Sequence, residues 1–241
     1  MPRVSRRSAI PGGDTRPGRK LGIDRSQRTL YVVCEGETEG DYLGLLEEKF
    51  GKEMRFHINP YTRAEGFKPL DAVERAIEER KRLYRTDREN VWVMIDRDEH
   101  VDIERAVVLA RKNKIKVAFS HPSFDLWLWL HFAPGRPTGQ GGNSSYLVSK
   151  LQGVTGFEGY APKRDKRLLA PVRRDALSAG ISQAIKLARK LDADCENGLC
   201  GPDRVAADGR HEPHHESCPI LKRDPSTGVY VMLESLGFTT A

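Results

Sequence analysis

The 241-residue sequence has no apolar run long enough to cross a membrane. The longest, around Phe124–Ala133, is about half of the roughly 20 residues a span needs, and Asp125 and His131 interrupt it. The arginine-rich N-terminus has no apolar core of the kind a secretory leader carries. Cysteine is scarce: of four residues, Cys195, Cys200 and Cys218 crowd into one late segment and Cys34 stands apart, so no disulfide framework spreads over the chain. No G-x-x-x-x-G-K-[ST] occurs, so any ATP-driven work would fall to a separate ATPase. Together these absences predict a soluble cytoplasmic protein in a reducing compartment, with no membrane partner.

What is present is charge, unevenly placed. The formal net charge is +6, and residues 1–29 hold eight basic side chains against two acidic ones, so the whole excess lies there and the remainder balances at 32 against 32. This leader has three prolines, several glycines and almost no apolar periodicity, and is expected to be a flexible basic arm. It would serve as a salt-sensitive contact to a phosphate backbone or simply as a solvated tail.

Beyond the arm, strand and helix signals alternate. Thr29–Cys34 is a β-rich run, then come a turn and a helical stretch through Phe50. Phe56–Ile58 is a weaker strand, Leu70–Tyr84 an amphipathic helix, and Val91–Ile95 a continuous apolar run suited to a strand buried on both faces. Val101–Asn113 reads as a helix, Val117–Phe119 as a strand and Pro122–Phe132 as a helix. This spacing predicts an α/β fold with a parallel sheet flanked by helices. After a Gly/Pro-rich loop at Pro134–Gly142 come helices at Asn143–Gln152 and Asp175–Leu191, an insertion loop at about 196–219, and a last helix at Ser226–Leu236. The expected division is an arm (1–29), an α/β core (30–133) and a mainly helical C-terminal appendage (134–241).

In an open parallel sheet, ligands gather at the carboxyl ends of the strands. The first strand runs directly into Glu35, and Val91–Ile95 runs into Asp96-Arg97-Asp98, a D-x-D whose two carboxylates, in extended geometry, could face one hard cation. Oxygen donors of this kind suit Mg²⁺. A solvated turn and a carboxylate favouring a helix dipole are the plainer readings.

The runs YVVCEGETEGDYLGLL, VWVMIDRDEH, VAFSHPSFDLWLWLHF and DPSTGVYVMLESL resemble, in order, blocks of the RloB family, small proteins of prokaryotic restriction and phage-defence neighbourhoods. The likeness runs from about Leu30 to Leu236. It implies a Toprim-like fold, with Glu35 as general acid/base and Asp96 and Asp98 as ligands of Mg²⁺ or Mn²⁺. Glu39 is a further candidate ligand; with Glu37 it belongs either beside the metal or at the start of the following helix. Where the family reads Asn before Pro and Glu after Phe, this sequence has His121 and Asp125, which leaves the role of that shortened carboxylate open between catalysis and structure. Ser120 and Asp125 are placed at the pocket rim, and His131, on a helix apolar all round, reads as a hydrogen-bonded core histidine.

Two clusters remain. Lys163, Arg164, Lys166, Arg167, Arg173 and Arg174 form a basic stretch that would either grip phosphates or face solvent; Lys163 and Arg164 are the chosen substrate contacts. Cys195, Cys200, His211, His214, His215 and Cys218 have ligand types and short spacings from which four could close a structural Zn²⁺ site, although the spacing is too irregular to separate this from an ordinary loop. The resulting expectation is an Mg²⁺-dependent Toprim-type nuclease of antiphage defence, with DNA or RNA as partner. The alternative is a non-catalytic nucleic-acid-binding or sensor subunit working with a separate ATPase, and assembly as a homo-oligomer is left open.

Overall fold

The computed structural model describes residues 27–84, 87–135, 144–161 and 165–240; the basic arm up to residue 26, Lys163 and Arg164 lie outside the described residues. Four strands, β1 (Arg28–Cys34), β2 (Phe56–Tyr61), β3 (Val91–Asp96) and β4 (Lys116–His121), pair in parallel. The two-residue β5 (Ser226–Thr227) closes the β4 edge antiparallel, giving the order β2-β1-β3-β4-β5. The chain leaves β1 toward β2 on one side and reaches β3 and β4 on the other, so the sheet changes direction between β1 and β3, and a crevice opens at their carboxyl ends.

Alternation along the strands sorts the core. Leu30, Val32 and Cys34 of β1 and Trp92 and Met94 of β3 face one layer, and Val33, Val93 and Ile95 the opposite one. The second layer holds α3 (Pro69–Arg82) and α4 (Ile103–Lys112), whose small buried residues Ala72, Ala76, Ala106 and Ala110 let the helices lie close to the strands. The first holds α1 (Glu37–Leu46), which continues through a π-turn at Glu47–Gly51 and the single turn α2 (Lys52–Met54), where Arg55 takes a left-handed conformation and ends it.

The same layer receives α5 (Phe124–Leu130), α6 (Ser144–Gln152), α7 (Pro171–Ala193) and α8 (Val229–Leu236). The C-terminal helices are therefore built onto the sheet through one continuous core, to which Leu177, Ile181, Ile185, Tyr230 and Leu233 contribute. The start of the expected last helix is instead the strand β5. Pro122, expected inside the first turn of α5, precedes the helix. No helix among the described residues is long and apolar enough to cross a membrane.

Helix α7 crosses α5 at Gly180, where an added Cβ would lie 2.6 Å from the His131 carbonyl oxygen and 3.0 Å from its Cα. Backbone cannot yield as a side-chain tip can. Gly180→Ala is expected to destabilise the fold by about 2 kcal/mol, overriding the roughly 1 kcal/mol that Ala gains over Gly inside a helix; urea unfolding would read the difference, and an unchanged midpoint would refute this close crossing.

His131 is the core residue the sequence suggested. It is buried, its Nδ1 donates to the Trp127 carbonyl at 2.9 Å, and its Nε2 accepts from the Tyr42 hydroxyl at 3.1 Å. Both nitrogens are satisfied only in the neutral ring, and burial holds the imidazole down to about 4 from 6.5. The unfolded chain takes the proton first, so this stability is complete above pH 6.5 and drains away as pH falls toward 4, about 3 kcal/mol in all. Stability measured across that window should fall less steeply in His131→Gln; parallel curves would contradict the account.

Candidate active site

The crevice between β1 and β3 is lined by carboxylates. Glu35 follows β1 and Asp96 ends β3, and parallel pairing of Cys34 with Met94 sets the two side by side. The Asp96 amide donates to Glu35 Oε2 at 2.9 Å, and His100 Nε2 lies 2.8 Å from Glu35 Oε1. Behind Glu35 the loop after β2 closes in: the Phe67 amide donates to the Glu35 carbonyl at 2.8 Å, and a Cβ on Gly66, at φ +74°, would stand 3.1 Å from that oxygen. Glycine is required there by both the turn and the approach.

The D-x-D does not stay extended. The strand ends at Asp96, and Asp98 adopts a left-handed conformation with φ +31°, its amide donating to the Pro122 carbonyl at 3.0 Å. This turn separates the roles of the two acids. Asp96 Oδ2 accepts the Phe124 amide at 2.8 Å, capping α5, while exposed Asp98 swings over the crevice and receives Ser144 Oγ at 3.2 Å. The donor atoms that converge are those of Glu35, Asp98 and His100, one from each lying within 4.8 Å of the others.

Glu39 sits at the third position of α1, buried, with its carboxylate turned back to the amides of Gly36 and of its own residue. It thus takes the reaching-back part of a capping box. A Cβ on Gly36 would lie 3.0 Å from Glu39 Oε2, so the glycine leaves room for the reversal. Of the two places the sequence offered Glu39, the helix start is the one its hydrogen bonds occupy, and its charge still acts on Asp96 and Glu35.

The two residues placed at the rim lie deeper. Ser120 is buried under β5 and its hydroxyl meets Thr227 Oγ1 at 3.1 Å. Asp125, 1% exposed, forms part of the floor: it accepts the Tyr160 hydroxyl at 2.5 Å on Oδ1 and Lys166 Nζ at 3.0 Å on Oδ2. Of the basic stretch, Arg167 is held by Asp41 and Glu37, Arg173 by Asp165, and Arg174 by Glu48. Lys166 alone among these four points its charge at the buried acids. His100 and Tyr160 were not singled out in the sequence: His100 stands two residues past the D-x-D, and only the turn at Asp98 brings it back to Glu35.

This much negative charge is poorly matched. Burial pushes Glu35 up to about 8, opposed by the Asp96 amide and assisted by Glu39 and Asp98. Burial also raises Glu39 to about 7 against the pull of Lys166, and lifts Asp96, with Glu39, Glu35 and Asp98 adding to it. A cation in the crevice would relieve all three at once. An oxygen-rich donor set with one imidazole fits Mg²⁺ or Mn²⁺ better than a soft metal.

Elsewhere, Cys195, Cys200, His214 and Cys218 come together, whereas His211 turns to the Pro202 carbonyl and His215 to Ser217 Oγ. A cavity of about 580 Å³ lies between the starts of β3 and β4, at Trp92 and Lys116, and the loop Gly209–His214; it holds none of the crevice acids.

The sequence profile of one protein family, described as RloB-like protein, matches residues 30–236. No curated protein and no solved structure matches the chain significantly.

Proposed function

Since the chain belongs to the RloB-like family, and since Glu35, Asp98 and His100 converge at the β1/β3 crevice with Asp96 beside them, we propose that it is a Toprim-like, Mg²⁺-dependent phosphodiesterase acting on nucleic acid in antiphage defence. The observation that carries this reading is the joining of Glu35, Asp98 and His100 at the point where the sheet reverses direction. Asp98, with Asp96 behind it, would hold the ion, which would supply charge stabilisation at a phosphoryl group and an activated water. Glu35 handles the proton at Oε1, the oxygen facing His100, and His100 orients that carboxylate. Asp125, Tyr160 and Lys166 brace the floor, and Lys163 and Arg164, close in sequence to Lys166, would meet the substrate phosphates.

The test is cleavage of supercoiled DNA, single-stranded RNA and tRNA by the purified chain with Mg²⁺ or Mn²⁺, alone and with a partner ATPase. Metal-dependent products are expected, and absence of cleavage under all of these conditions would sink the enzyme reading. One observation favours the second reading, a non-catalytic recognition or sensor subunit: Arg167, Arg173 and Arg174 are taken up by acids of the chain itself. On that reading metal binds at the crevice without turnover.

A further inference from the structure

We infer that Cys195, Cys200, His214 and Cys218 form a structural Zn²⁺ site that fastens the insertion at 196–219 to the helical layer. One ligand atom from each lies within 4.8 Å of the others. Cys195 Sγ and Cys218 Sγ are 3.7 Å apart, far beyond the roughly 2.0 Å of a disulfide. That separation is close to the edge, about 3.8 Å, of a tetrahedron with zinc–sulfur distances of about 2.3 Å. The fourth ligand is already turned toward the sulfurs, with His214 Nδ1 facing Cys218 Sγ at 4.0 Å.

The surroundings are built as well as the ligands. His214 Nε2 donates to Asp192 Oδ1 at 2.9 Å, and Asp192 Oδ2 accepts the Tyr230 hydroxyl at 2.6 Å; all three side chains are buried. A carboxylate that fixes the far nitrogen of a histidine is the usual support of a zinc-bound imidazole, since it sets the tautomer and leaves Nδ1 free for the metal. The His215 amide donates to Cys200 Sγ at 3.3 Å, which lowers the charge on a thiolate, and Arg223 holds the Cys218 carbonyl at 2.9 Å. Asp192 belongs to α7 and Tyr230 to α8, so the site ties the insertion to two core helices.

The insertion needs such a fastening. Among residues 196–219 only His214 and Cys218 are buried, so it has almost no apolar core of its own. Four protein ligands leave no open position for a substrate, which makes the role structural. The segment held in this way supplies Gly209–His214, one wall of the 580 Å³ cavity.

This Cys/His site stands apart from the crevice acids and does not depend on the proposed phosphodiesterase activity. The full chain, purified without added metal, is expected to carry one zinc per chain by elemental analysis. Co²⁺ exchanged into it should give thiolate-to-metal and tetrahedral absorption bands. Cys195→Ser and Cys218→Ser should lower the bound zinc to about a tenth or less, whereas His211→Ala, His215→Ala and Asp98→Ala should retain it. Should the serine variants fail to fold, titrating the wild-type thiols with a mercurial gives a second measurement, with zinc leaving as the thiols are consumed. A wild-type chain that holds neither zinc nor Co²⁺, or zinc that survives the double Cys195→Ser, Cys218→Ser substitution, would overturn the site.

Discussion

Asp98→Ala is expected to abolish metal-dependent cleavage, lowering its rate by at least about a thousandfold, while the protein stays folded. Asp98 is exposed, and among the described residues its side chain accepts a hydrogen bond from Ser144 Oγ, so little packing is lost. What is lost is one of the three donor groups that meet over the crevice. Glu35→Gln should be equally inactive for a different reason: its shape and its bond from the Asp96 amide can persist, but the charge and the proton-accepting oxygen facing His100 are gone. Thermal unfolding separates site loss from misfolding. In the wild type, Mg²⁺ at about 100 times its dissociation constant should stabilise by about 2.7 kcal/mol, a shift missing from Asp98→Ala. Full cleavage by both variants would remove the crevice from consideration. A metal shift that depends on Asp98, with no cleavage of any substrate, would transfer support to the recognition-subunit reading.

The second large effect lies one layer deeper. Lys166→Met is expected to cost about 3 to 5 kcal/mol, because it leaves the Asp125 carboxylate at the floor of the crevice without its cation. The Tyr160 hydroxyl and a longer bond from Ser123 Oγ, both neutral donors, would then answer a fully buried charge that stands near Glu39. The Lys166 head is partly exposed, so the reverse change is gentler. Asp125→Asn frees the ammonium toward water and can keep a hydrogen bond to the Tyr160 hydroxyl, and should cost less than half as much. Denaturant unfolding of the two variants beside wild type would show this asymmetry. Equal losses would mean that the pair acts as a surface ion pair despite its burial.

Much of this architecture could be read from the chain. β1 and β3 stand out because strands covered on both faces need unbroken apolar runs, and the residue types that follow them, Glu35 and Asp96, then fall at the carboxyl ends by topology alone. β5 was hidden because two residues, Ser226 and Thr227, carry no periodicity, and its partner lies 107 residues away. The same distance effect hid the floor: Tyr160 is 35 residues from Asp125 and Lys166 is 41, and nothing local marks either as its partner. The separation of Asp96 from Asp98 turns on one left-handed residue, which the D-x-D pattern does not encode. In the Cys/His segment the residue types were legible and which four come together was not, because Asp192, a residue outside the segment, holds His214 rather than its neighbour His215.

The strand that closes the β4 edge has a consequence for how the molecule is assembled. Until residues 226–227 arrive, β4 presents an open row of backbone donors and acceptors beside the apolar helix α5, and closing it requires a contact across more than a hundred residues. Such long-range pairing slows folding, because the entropy of loop closure is spent before any contact rewards it. The crevice acids come from β1 and β3, so they can be in place while that edge is still unpaired. An unpaired β4 edge is the kind of surface to which another strand adds, so the two residues of β5 shield the sheet from edge-to-edge association.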